Sequence, residues 1–189
     1  MVPGTAWTLP MMTDAQRIFL VGPMGSGKTT IGAQLARATG CTCVDAAHEL
    51  EQRTGATVSR IFDIEGEAGF RERERRLIDE LTQRDRIVLA TGGGAVLHPD
   101  NRRCLAQRGF VVYLRTPVDT LVERTRHDTS RPLLRTADPA RTLREIIAAR
   151  EPLYLEVADL VLDTGKLSVK QVIRRIMAKQ ASSRHDEQE

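Results

Sequence analysis

Gly22-Pro23-Met24-Gly25-Ser26-Gly27-Lys28-Thr29 follows the apolar run Ile18-Phe19-Leu20-Val21 and opens a helical pattern at Ile31, Leu35 and Ala38. This is G-x-x-x-x-G-K-[ST] in the strand, loop, helix order that makes it a phosphate cradle. The glycines let the backbone curl until successive N–H groups point inward at a helix N-terminus. Lys28 reaches terminal phosphates as a point charge, and the Thr29 hydroxyl can ligate Mg²⁺. The stretch predicts a P-loop.

Outward from the loop, apolar strands alternate with helical patterns. Thr42-Cys43-Val44 is a short strand ending at Asp45, and Ala46 to Arg53 is helical until Gly55 stops it. Thr57 to Glu65 puts Val58, Ile61 and Phe62 on one helical face; Gly66 and Gly69 interrupt, and a second helix carries Phe70, Leu77, Ile78 and Leu81 inward. The outer face of that helix, with Glu72, Glu74 and Arg76, reads as a solvated charge ladder. Ile87-Val88-Leu89-Ala90 and Phe110 to Leu114 are further strands. Thr116-Pro117 reads as N-cap and N1 of the next helix, and His127 to Ala137 as a mobile, unpatterned loop. Asp138-Pro139 starts a helix that Pro152 ends or kinks; Leu160-Val161-Leu162 is the last strand, and Val169, Val172, Ile173 and Ile176 mark a closing helix. Buried strands alternating with helices mean a three-layer α/β/α domain on a five-stranded parallel sheet, with ligands beyond the carboxyl ends of its strands.

The chain of 189 residues suits one such domain, read as residues 14–181, with a loose extension at 1–13 and a frayed polar tail at 182–189. A net charge of +3 and 4% aromatics argue against a nucleic-acid surface, and no apolar run reaches membrane-spanning length. Cys41, Cys43 and Cys104 lack zinc spacing and read as buried free thiols in a reducing, cytoplasmic setting.

With the P-loop, Asp45 and Gly92-Gly93-Gly94 converge on the carboxyl edge. Asp45 either holds Mg²⁺ through water or makes an ordinary strand-terminal turn. Gly92-Gly93-Gly94 either lets a ligand approach the main chain or forms a tight turn. Arg150 falls on the inward stripe Leu143, Ile146, Ile147, and burying an unpartnered arginine is costly. It either snorkels or faces an anion in a cleft, and the cleft is favoured. Arg71 borders its own stripe and poses the same question, while Arg124 and Arg131 flank the unpatterned loop and are either phosphate-closing or surface arginines.

Together these stretches resemble the shikimate kinase family of small P-loop kinases, from about Arg17 to Met177. The resemblance rests on Gly22 to Thr30, Ile61 to Glu74, Ala90-Thr91-Gly92-Gly93-Gly94, Arg131-Pro132-Leu133-Leu134 and Arg150-Glu151-Pro152-Leu153-Tyr154. It implies a sheet order of 2-3-1-4-5, a lid, and ATP-dependent phosphorylation of the shikimate 3-hydroxyl by a monomer. Carried over residue by residue, Gly25, Ser26, Gly27, Lys28, Thr29 and Thr30 bind ATP, and Thr29 ligates Mg²⁺ with Asp45 nearby. Lys28, Asp45 and Arg131 serve the transfer, with Arg131 a lid arginine and Arg124 beside the adenine. Arg71 and Arg150 hold the shikimate carboxylate, and Gly93, within Gly92 to Gly94, lies against the substrate.

One departure matters. Where the family has an Asp-Ser-Asp-like motif, this chain reads Asp45-Ala46-Ala47, so the acid that receives the shikimate hydroxyls is absent. Ala47 offers neither acceptor nor base, and the resemblance implies an impaired enzyme. Leu167, where many relatives carry a polar residue on the adenine side, is a smaller departure. Two other readings stay open: a kinase for another small metabolite, such as gluconate or a nucleoside monophosphate, and a nucleotide-binding protein without turnover.

Overall fold

The computed structural model describes residues 16–126 and 132–186. The extension at 1–13 and Arg131 lie outside the described residues. Strand β1 (Arg17–Val21) feeds the P-loop and helix α1 (Lys28–Thr39); β2 (Thr42–Asp45) leads into α2 (Ala46–Thr54) and α3 (Val58–Leu81). Strand β3 (Ile87–Ala90) precedes α4 (Pro99–Arg108), β4 (Phe110–Arg115) and α5 (Val118–Thr125). Helix α6 (Pro139–Val157), β5 (Leu160–Asp163) and α7 (Val169–Asp186) complete the chain.

All four strand pairings are parallel and the order is β2-β3-β1-β4-β5. Continuous apolar runs form the central strands because helices cover both faces. On one face Phe19, Leu89, Val111 and Tyr113 pack with Leu77, Ile78 and Tyr154; on the other Ile18, Leu20, Val88 and Val112 pack with Ile31, Leu35, Val172 and Ile176. A third, smaller cluster joins Leu121 to Leu134, Leu143 and Ile147, and so anchors the short 3-10 turn Pro132–Leu134.

Several expectations are corrected. Gly66 breaks the helical geometry (φ 69°, ψ −177°) and divides α3 into the two helices expected, but Gly69 lies inside the second of them and does not interrupt it. Pro117 takes the N-cap position of α5 without a side-chain cap, and the Thr116 hydroxyl instead meets Thr164 at 2.7 Å. Helix α6 continues through Pro152 to Val157, and α7 runs to Asp186, beyond the 181 boundary. Cys104 is buried, but Cys41 and Cys43 are only half-buried. Helix α4 was not foreseen. Its sequence is strongly polar, with only Asn101, Cys104 and Leu105 buried, so no stripe announces it.

Candidate active site

The carboxyl ends of β1, β2 and β3 open onto two adjoining chambers. The larger, about 510 Å³, is floored by the P-loop, Met24 to Ile31, and walled by Arg124, Thr164 and Leu167. Gly25 (φ 79°) and Gly27 (φ 89°) occupy the left-handed region, which side chains disfavour, so these glycines set the loop's curl. Lys28 is buried and folds back over the loop, donating to the carbonyls of Gly22 (2.8 Å) and Pro23 (2.7 Å). Its ammonium thus stands at the anion nest, where a phosphate would meet it. Arg124 Nη1 donates to the Gly25 carbonyl at 2.9 Å, which places a guanidinium on the rim of this chamber.

Asp45 makes the strand-terminal turn and also faces the P-loop. One carboxylate oxygen caps α2, accepting from the N–H groups of Ala47 (3.0 Å) and His48 (3.2 Å). The other accepts from the Thr29 hydroxyl at 2.5 Å. A hydroxyl and a carboxylate side by side, facing a phosphate cradle, fit a hydrated Mg²⁺, which prefers a few protein oxygens plus water and phosphate. Among the described residues no group of three or more His, Cys, Asp or Glu forms a closed metal cage.

The second chamber, about 360 Å³, is lined by Val58, Phe62, Phe70, Leu133 and the charged Arg71, Glu74 and Arg150. Arg150 is buried, as its place on the α6 stripe foretold. Burial, and after it the neighbouring Arg71 guanidinium, push its pKa down, so Arg150 is a buried cation that an anion would relieve. Arg71 Nη1 donates to Glu74 at 2.6 Å.

Glu74 is the residue that sequence reasoning misplaced. It is not on a solvated ladder but 4% exposed, with burial raising its carboxyl pKa against the pull of Arg71 and Arg150. The signal was available: Phe70, Glu74, Leu77 and Leu81 follow helical spacing on the inward face, as Arg150 does on α6. Glu72 and Arg76 do pair outside, at 2.7 Å.

The glycine triplet forms a tight turn, with the Ala95 N–H donating to the Gly92 carbonyl at 3.1 Å, and it also makes room for its neighbours. A β-carbon on Gly92 would lie 2.4 Å from Glu74 Oε1, and one on Gly94 2.3 Å from Arg71 Nη2. On Gly93 it would press to 3.2 Å from the Met24 N of the P-loop. The triplet therefore lets the ion pair and the P-loop close on the same point. Met24, Ala47, Gly92 and Gly93 line both chambers. Ala47, the second residue of α2, sits at the junction, where a carboxylate would face both.

The structure thus brings together the P-loop, Asp45, Ala47, Arg71, the triplet, Arg124 and Arg150. Pro132 and Leu133 of the turn Pro132–Leu134, next to Arg131 in sequence, line the second chamber.

Comparison with known proteins agrees with this geometry. The family model for shikimate kinase matches residues 24–181. The shikimate kinase of Bordetella pertussis is 57% identical over 162 residues, covering 86% of this chain and 77% of that protein. That of Halorhodospira halophila is 56% identical, covering 85% and 91%. A solved structure, shikimate kinase from Acinetobacter baumannii in complex with shikimate, superposes with a TM-score of 0.87 at 46% identity, covering 89% of this chain and 94% of that one. A gluconokinase from Sinorhizobium meliloti, at 18% identity and a TM-score of 0.57, shares the fold alone. With motifs, sheet order and two-chamber site in agreement, this chain belongs to the shikimate kinase family.

Proposed function

We propose that the chain is an ATP- and Mg²⁺-dependent kinase whose acceptor is shikimate, and that Ala47 impairs the acceptor half of its site. The observation that carries this reading is the junction itself. A P-loop cleft and a chamber holding two guanidiniums meet at the glycine triplet and Ala47. Bound Mg-ATP supplies the phosphoryl group and spreads its charge over the metal.

The chain's own residues do the positioning. The P-loop N–H groups and Lys28 hold the phosphates, and Thr29 with Asp45 holds the metal's water shell. Arg71 and Arg150 take a carboxylate on the far side of the acceptor, and Phe62, Phe70 and Val58 give its ring an apolar wall. That orients a hydroxyl toward the first chamber, and water is excluded by the turn Pro132–Leu134. Arg131 is assigned to the phosphates and Arg124 to the adenine side. Phosphoryl transfer needs alignment and charge neutralisation more than covalent help, so a chain without the acid at 47 retains part of the machinery. A cytoplasmic monomer is the proposed setting; no helix among the described residues is long and apolar enough to cross a membrane.

The test is ATP turnover by the purified chain with shikimate, gluconate and a nucleoside monophosphate, beside calorimetric binding of each. Weak turnover confined to shikimate, with ordinary Mg-ATP binding, supports the proposal. Efficient turnover of either alternative acceptor refutes it.

A further inference from the structure

Tyr154 is fully buried, yet it is a tyrosine. Its ring stacks on Tyr113 with centroids 5.0 Å apart, and a phenylalanine would fill the same volume. A buried hydroxyl loses its water and must find partners, so its presence calls for a reason beyond packing. Its hydroxyl belongs to the site: it donates to the Gly93 carbonyl at 2.5 Å. Arg150 lies one turn earlier on the same buried face of α6.

On its other side Gly93 is pressed against the P-loop, where a β-carbon would stand 3.2 Å from Met24 N and 3.5 Å from the Gly22 carbonyl. Tyr154 thus joins the helix that carries Arg150 into the acceptor chamber to the triplet, which adjoins the P-loop backbone. Its ring is held against Tyr113 of the sheet.

We propose that Tyr154 is a positioning residue: its hydroxyl sets the distance between the acceptor-binding guanidinium of Arg150 and the phosphate cradle, and so aligns the acceptor for transfer. The inference rests on the proposed function, because it takes Arg150 to hold the acceptor. It adds a residue that lines neither chamber. Misplacement by about 1 Å in such a site lowers rates by as much as about a hundred-fold.

The experiment compares Tyr154→Phe with its parent in the full chain carrying Ala47→Asp, where shikimate turnover is measurable. Three quantities are read: kcat and both KM values, the number of Mg-ATP sites by calorimetry, and hydrogen exchange at the amides of Gly92 to Ala95. The expected result is a kcat lower by about ten-fold or more, equivalent to about 1.4 kcal/mol of barrier. The KM for Mg-ATP stays within two-fold, one nucleotide site per chain is retained, and the triplet amides exchange faster. A kcat within two-fold of the parent overturns the inference. So does a fall in kcat matched by an equal fall in nucleotide sites, since that reports only lost folded protein. Should the Ala47→Asp parent fail to phosphorylate shikimate, the proposed function falls, and the exchange measurement alone decides the inference: unchanged exchange at the triplet overturns it, and accelerated exchange upholds the link from Tyr154 to the P-loop.

Discussion

Restoring a carboxylate at residue 47 should separate nucleotide binding from acceptor turnover. Position 47 is half-buried and lines both chambers. An Asp there gains an acceptor for the substrate hydroxyls. One hydrogen bond to a charged group is worth about 1.5–3 kcal/mol, or about 10- to 150-fold in affinity. If the same carboxylate takes the hydroxyl proton, about 10²–10⁴ in rate is added. The fold should barely notice. An acid in the first turn of α2 gains about 0.3–1 kcal/mol from the helix dipole, and the Asp45 carboxylate that already caps this helix opposes it. Ala47→Asp should therefore raise kcat/KM for shikimate by at least ~100-fold, with the Kd for Mg-ATP changed by less than about three-fold. A coupled assay for ADP release and calorimetry of the nucleotide give both numbers. Full activity in the chain as it stands, unchanged by the substitution, would refute the reasoning.

Lys28→Ala should abolish phosphoryl transfer while circular dichroism stays unchanged, because Lys28 donates to the loop oxygens of Gly22, Pro23 and Ser26 and serves the phosphates rather than the core. Burial holds the Glu74 carboxyl above its ordinary 4.5, so the folded chain binds more protons there than the unfolded one. That contribution favours the fold at acid pH and is lost as pH rises above about 4.5 through the raised value; Glu74→Gln should flatten this part of the Tm-against-pH curve, and an unaltered slope would count against it. Arg135, just after the Pro132–Leu134 turn, reaches across to Asp63 at 3.2 Å and to Ser59, both on α3 beside the acceptor chamber. Because the pair is exposed, Arg135→Ala should raise the shikimate KM only about two- to five-fold at low salt, with the difference vanishing in 1 M NaCl.

Local chemistry made much of this protein legible. The P-loop is read from glycines, a lysine and a hydroxyl within one turn of chain, flanked by a strand and a helix whose periods are themselves local. The helix stop at Gly55 is likewise written in a single residue, since it takes the left-handed conformation that glycine permits. Arg150 was placed correctly because its register on α6 is counted from neighbours in the same helix. Glu74 was equally countable and was missed because its acidic neighbours on α3 suggested a solvated face. The sheet order came only from resemblance. Parallel strands are joined by crossovers, and nothing in their own sequences says which will be neighbours.

Other features existed only once the chain had folded. The Tyr154 hydroxyl meets Gly93, sixty-one residues away, and Arg135 meets Asp63 across seventy-two. The glycine triplet looked like a turn or a ligand cradle, but its lack of side chains makes room for Arg71, Glu74 and the P-loop, which arrive from other elements. Pattern along the chain determines which residues turn inward, because periodicity is a property of neighbours. Which inward groups then meet, and whether a buried charge finds its partner, depends on packing between segments remote in sequence, and that the tertiary structure alone decided.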